Sequence, residues 1–148
     1  MTTPGPIIMI DDDVEDLEIF KEIINEFAPE REVIEFGNSD DVLTFLDENT
    51  SVNPFLIISD INLPKLSGIA LREKIQNNEQ LRLRCIPYLF FTTSSAHQDV
   101  IDAYSKSIQG FFIKPANLDT LKSVLQAIIT YWSLCEAPNP TKEQHSKV

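Results

Sequence analysis

The sequence predicts an α/β fold, a five-stranded parallel sheet with helices on both faces. Three observations carry this. Short apolar runs alternate five times with stretches of helical periodicity. Most of these runs are apolar throughout, as strands covered on both faces must be. The chain has 148 residues, enough for one domain with a full core.

The elements follow in order. Ile7 to Ile10 is the first buried strand. Val14, Leu17, Phe20, Ile24 and Phe27 then recur at helical spacing, and Pro29 follows the helix end. Glu32 to Phe36 alternates and carries Glu32 and Glu35, which suits an edge strand. Ser39 is the expected cap of a helix holding Val42, Phe45 and Leu46. Phe55 to Ser59 is a wholly apolar strand ending at Asp60. Gly68 to about Asn77 carries Ile69, Leu71 and Ile75 and reads as a helix.

Pro87 introduces the next buried strand, Tyr88 to Phe91. Ser95 is the expected cap of a short fourth helix through Tyr104. Phe111 to Ile113 is the fifth strand, and Leu118, Leu121, Leu125, Ile128 and Trp132 mark a final amphipathic helix. Residues 1–6 read as a disordered arm, 7–135 as the domain, and 136–148, polar with two prolines, as a flexible tail.

Charge and composition exclude several functions. The net charge is −11, from 12 basic and 23 acidic residues. That argues against unaided binding to nucleic acid or to an anionic membrane surface. Cys85 and Cys135 have no metal-ligand spacing and form no disulfide framework, so a cytoplasmic setting is expected. The first residues carry no basic and apolar leader pattern. No apolar run approaches the roughly 20 residues of a membrane span.

Ligand sites of parallel sheets lie at the carboxyl ends of the strands. Asp11, Asp12 and Asp13 stand at the end of the first strand, Asp60 at the third, Thr92 at the fourth and Lys114 at the fifth. Clustered carboxylates cannot all stay ionised without a counter-charge. An all-oxygen cluster suits Mg²⁺. A lysine and a hydroxyl at the same rim suit a phosphoryl group, with Asp60 as a nucleophile that forms an aspartyl phosphate. The competing reading of residues 11–16 is helix capping and interaction with the helix dipole, which is what Asp13, Glu15 and Asp16 are expected to do.

Ile10-Asp11-Asp12, Asp60-Ile61-Asn62-Leu63-Pro64 with Gly68, Phe91-Thr92-Thr93 and Gly110-Phe111-Phe112-Ile113-Lys114-Pro115 occur here in that order. Together they resemble the response regulator receiver domain of two-component signalling, over about residues 7 to 134. The resemblance implies a flavodoxin-like, doubly wound sheet of strand order 2-1-3-4-5. It implies that Asp60 accepts a phosphoryl group from a sensor histidine kinase or a histidine phosphotransfer protein. Asp11, Asp12, Asp60 and the backbone carbonyl of Asn62 would hold Mg²⁺. Thr92 and Phe111 would be the switch residues, and Lys114 would hold the phosphoryl oxygens, with a cis peptide to Pro115. Asn62 and Ser94 would tune self-dephosphorylation.

Leu63-Pro64-Lys65, Thr92-Thr93-Ser94-Ser95 and Ile128-Ile129-Thr130-Tyr131-Trp132 are also similar to the stand-alone regulators that partner bacterial phytochromes. Ser107-Ile108 departs from the usual Gly-Ala before the fifth strand, and Ser67 from the usual acidic or amide residue. Few residues follow Trp132, so the expected output is contact with a protein target. The expected surface is helix four, strand five and helix five, with a homodimer through Tyr104, Ile108 and Trp132 as a further expectation. Beyond self-phosphorylation and self-dephosphorylation, no enzyme activity is expected. One alternative is an aspartate-nucleophile phosphatase of the haloacid dehalogenase type. There, however, the nucleophile sits on the first strand, and an acid stands where Asn62 is found. The other alternative is a pseudo-receiver that binds without phosphorylation. For Phe111 and Trp132 the competing role is core packing.

Overall fold

The computed structural model describes residues 5–94 and 96–136. Five strands, β1 (Ile7–Ile10), β2 (Val33–Phe36), β3 (Leu56–Ser59), β4 (Tyr88–Thr92) and β5 (Gly110–Ile113), pair in parallel in the order β2-β1-β3-β4-β5. This is the order the family resemblance implies. β2 lies at an edge and is half-buried along its length, whereas β1, β3 and β4 are buried throughout.

The helices are α1 (Val14–Phe27), α2 (Ser39–Glu48), α3 (Gly68–Asn77), α4 (Glu79–Arg82), α5 (His97–Tyr104) and α6 (Leu118–Leu134). α4 was not legible in the sequence, because four residues show no periodicity. The Asn78 side chain starts it by accepting from the Leu81 amide. The fourth and fifth helices of the sequence reading are therefore α5 and α6.

Alternation along the strands divides the core in two. Ile8, Ile10, Ile57, Tyr88 and Phe90 face α2, α3, α4 and α5. Ile7, Met9, Leu56, Ile58, Leu89 and Phe91 face α1 and α6. Each fully buried aliphatic side chain contributes about 1.5–3 kcal/mol relative to exposure, so the central strands anchor both layers.

Local details correct several expectations. Asn38, not Ser39, caps α2, through the Asp41 amide. Ser39 is buried instead, and its hydroxyl donates to the Leu66 carbonyl, pinning the loop that follows β3. Val14 starts α1 but is exposed, since it precedes the turn that reaches the sheet. Ile108 packs in the core and cannot serve a dimer face, whereas Tyr104 is exposed. Trp132 is half-buried against the α1–α6 layer and meets Tyr131 edge-on, so it has a packing role. Ser95, and the arm and tail apart from Gly5, Pro6 and Glu136, lie outside the described residues.

Candidate phosphoryl and metal site

Strand register assembles the site. Ile10 pairs with Ser59, and the Asp60 amide donates to the Ile10 carbonyl, so Asp11 and Asp60 emerge side by side. On the other side Thr92 pairs with Ile113, and the Lys114 amide donates to the Thr92 carbonyl at 2.8 Å. Lys114 thereby leaves the sheet at the same rim.

Carboxylate oxygens of Asp11, Asp12 and Asp60 all lie within 4.8 Å of one another. Asp11 and Asp60 are buried and Asp12 is exposed, so the cluster opens to solvent on one side. The Lys114 ammonium donates to Asp11 Oδ2 at 2.5 Å, Asp16 Oδ2 at 3.0 Å and Asp60 Oδ2 at 3.3 Å. Main-chain amides hold the carboxylates in turn: Asp13 N donates to Asp11 Oδ1 and Asn62 N to Asp60 Oδ1.

The electrostatics are unbalanced. Burial pushes the Asp11 carboxyl above its ordinary range, despite its bond to Lys114. Burial also opposes the charge on Lys114. Its bonds to Asp11 and Asp16, with the charges of Asp11 and Asp60, outweigh burial and hold the ammonium above its ordinary range. One ammonium thus serves a group of four carboxylates, Asp11, Asp12, Asp16 and Asp60. A hard dication fits this remainder, because every donor in the cluster is an oxygen.

The other expected residues are placed as follows. Thr92 is fully buried, and its hydroxyl accepts from the Ser94 amide at 3.3 Å. Asn62 has an exposed side chain and meets Asp60 through its backbone. Phe111 is half-buried on the α2–α5 layer, 6.2 Å from the Phe90 ring, so it has packing contacts as well as a place beside β4. Ser94 donates to Asp99 Oδ2 at 2.5 Å. Asp13 caps α1 through the amides of Glu15 and Asp16, as expected.

Two expectations fail. The Lys114–Pro115 peptide is trans, like the other described peptide bonds. The trans form is favoured by about 0.5–1 kcal/mol even before proline, and with it Lys114 already reaches three carboxylates. Asp16 is not only a dipole residue, because it shares the Lys114 ammonium. Its signal was the helical wheel: Asp16 is four residues before buried Phe20, on the same face of α1.

A family model for the response regulator receiver domain matches residues 7–126. The chain belongs to this family. Response regulator Rcp1 of Synechocystis sp. is 29% identical over 133 residues, covering 87% of this chain and 89% of Rcp1. The probable methanogenesis regulatory protein FilR2 of Methanothrix harundinacea is 35% identical over 79 residues, 53% of this chain. The chain spans only 50% of that relative's length.

Among solved structures, the phosphorylated cyanobacterial phytochrome response regulator RcpA gives a TM-score of 0.83, covering 91% of this chain and 99% of RcpA. At 23% identity that likeness is one of fold. The Mn²⁺-bound form of Rcp1 gives 0.79 at 28% identity, covering 90% of this chain and 98% of Rcp1. The receiver domain here is thus Rcp1-like, and these matches do not favour the phosphatase alternative. No helix among the described residues is long and apolar enough to cross a membrane.

Proposed function

We propose that this receiver domain is a phosphorylatable switch whose acceptor is Asp60. The single observation that carries the reading is the convergence of Asp60 with Asp11 and Asp12, facing Lys114. A carboxylate oxygen of Asp60 attacks the phosphorus of a phosphohistidine on a histidine kinase or phosphotransfer protein. The P–O bond forms, the P–N bond breaks, and the imidazole leaves. Lys114 turns from the Asp60 carboxylate to a phosphoryl oxygen, and Thr92, one strand away, supplies a hydroxyl. Phosphorylated RcpA and Mn²⁺-bound Rcp1 are relatives in which the corresponding states exist.

Asp11, Asp12, Asp60 and the carbonyl of Asn62 would hold Mg²⁺. The ion neutralises charge that Lys114 alone leaves uncompensated.

The output would pass by protein contact at α5, β5 and α6, where Thr92 and Phe111 adjoin the face. A homodimer at this face would use exposed Tyr104 rather than buried Ile108. The expected setting is cytoplasmic, without nucleic acid or membrane as partner. The test is incubation with acetyl phosphate and Mg²⁺, followed by intact mass. The unmodified protein gains one phosphoryl mass and Asp60→Asn gains none. Labelling of Asp60→Asn at an ordinary rate would move the acceptor to Asp11 or Asp12.

A further inference from the structure

We infer that Asp16 is a positioning residue for the phosphoryl reaction, the anchor that keeps the Lys114 ammonium over Asp60 when a metal occupies the acidic cluster. The inference rests on the function proposed above.

An ammonium has three N–H donors. Those of Lys114 are all engaged, with Asp11, Asp16 and Asp60 at 2.5, 3.0 and 3.3 Å. A phosphoryl oxygen can therefore be bound only by displacing one of the three. The Asp60 contact is the longest, and it is the carboxylate consumed by the reaction. Asp11 belongs to the group of oxygens within 4.8 Å that suits a cation, and Asp16 does not. A cation on Asp11 and Asp60 competes with Lys114 for both. Asp16 is then the one acid of the three with no other duty.

The local structure fixes Asp16 for this role. Asp13 sets the start of α1, and Asp16 projects from its first turn on the side of Phe20. The Lys114 ammonium lies 5.8 Å from the Phe20 ring centre, so ring and carboxylate bracket it from one helix. The Lys114 side chain is 9% exposed and that of Asp16 32%. The carboxylate thus stays open to solvent on one side while the ammonium is enclosed. Without Asp16 the ammonium has Asp11 and Asp60 alone. It either competes with the metal there or withdraws from the site.

The test reads the ammonium directly and then the reaction. In protein labelled with ¹⁵N-lysine, the Lys114 ammonium signal is assigned by its loss in Lys114→Ala. With Mg²⁺ present, the unmodified protein and Glu15→Gln show a protected signal, and Asp16→Ala loses it to solvent exchange. Asp16→Asn, which keeps an acceptor without charge, falls between them. In acetyl phosphate labelling at saturating Mg²⁺, Asp16→Ala slows the rate roughly threefold to fivefold, the upper part of the range of an exposed ion pair. In the Lys114→Ala background the same substitution changes the rate by less than about twofold.

An unchanged ammonium signal in Asp16→Ala overturns the inference, as does an equal loss of rate with and without Lys114. Should the unmodified protein take no phosphoryl group while its ammonium signal still depends on Asp16, the proposed function fails and the anchoring role stands.

Discussion

The two rims of the sheet bury cationic groups in opposite ways. At the amino ends of the strands three arginines bind main-chain carbonyls. Arg31 donates to Gly5 and stacks 3.8 Å over the Phe55 ring. Arg72, itself buried, donates to Lys106 and Ser107 at 3.0 and 2.7 Å and lies over Tyr88. Arg84 donates to Leu46, Asn49 and Val52, so it closes the end of α2. At the carboxyl ends one lysine faces carboxylates only.

The difference separates contacts that are fixed from contacts that can be exchanged. These main-chain carbonyls are neutral, neither bind a cation in exchange nor accept a covalent group, and so have no reason to trade their partner. A guanidinium fork holding several carbonyls is therefore a permanent clamp. A carboxylate can change partner for a cation or be converted to a phosphate, and an ammonium can follow. The molecule keeps its fixed contacts at one rim and its exchangeable contacts at the other.

The two rims differ most at the metal cluster. Asp12→Ala should weaken Mg²⁺ binding by roughly tenfold to a hundredfold or more, the scale at which even outer groups of metal sites act. Asp13→Ala should leave it within about twofold and cost about 1 kcal/mol of stability through the lost cap. Calorimetric titration of both variants decides it, and equal losses would erase the distinction between ligand and cap.

The next effect is on the clamp side. Arg84→Met should destabilise the fold by about 2 kcal/mol, because three carbonyls lose a charged donor while solvent rescues part of the loss. In a chain of this size that lowers Tm by ~5 °C. Its rate of labelling by acetyl phosphate should match the unmodified protein. A slower reaction at unchanged Mg²⁺ affinity would mean that the two rims are coupled.

The smallest effect is at Ser107, whose φ of 59° lies in the left-handed region. Its carbonyl is fixed there by Arg72. Ser107→Gly should relieve the left-handed strain, offset in part by the freedom glycine gains when unfolded, for a net gain of about 0.5 kcal/mol. The denaturant midpoint would rise slightly, and a fall would show that the hydroxyl has a partner role.

The exchangeable rim was largely legible in the sequence and the clamp rim was not. Continuous apolar runs mark buried parallel strands, and the residues just after them must meet at one rim. Asp11, Asp60, Thr92 and Lys114 could thus be brought together without coordinates. Arg84 reaches carbonyls 32 to 38 positions away, and side-chain contacts to main chain at such distances leave no pattern in a sequence. Asp16 lies between these cases. Its acidity matched the helix-dipole rule, and only its alignment with Phe20 pointed inward. The cap of α2 fell to Asn38 because two polar residues in succession both satisfy the capping pattern, and the hydrogen bond from the Ser39 hydroxyl to the Leu66 carbonyl took Ser39 out of that role.

The central claim is that Asp60 is the group converted. After reaction with acetyl phosphate and Mg²⁺, borohydride reduces an aspartyl phosphate to the alcohol, and peptide mass mapping locates the change. Homoserine is expected at position 60 and at no other aspartate, with the conversion lost when Mg²⁺ is chelated. Homoserine at position 11 or 12, or equal conversion without the metal, would contradict it.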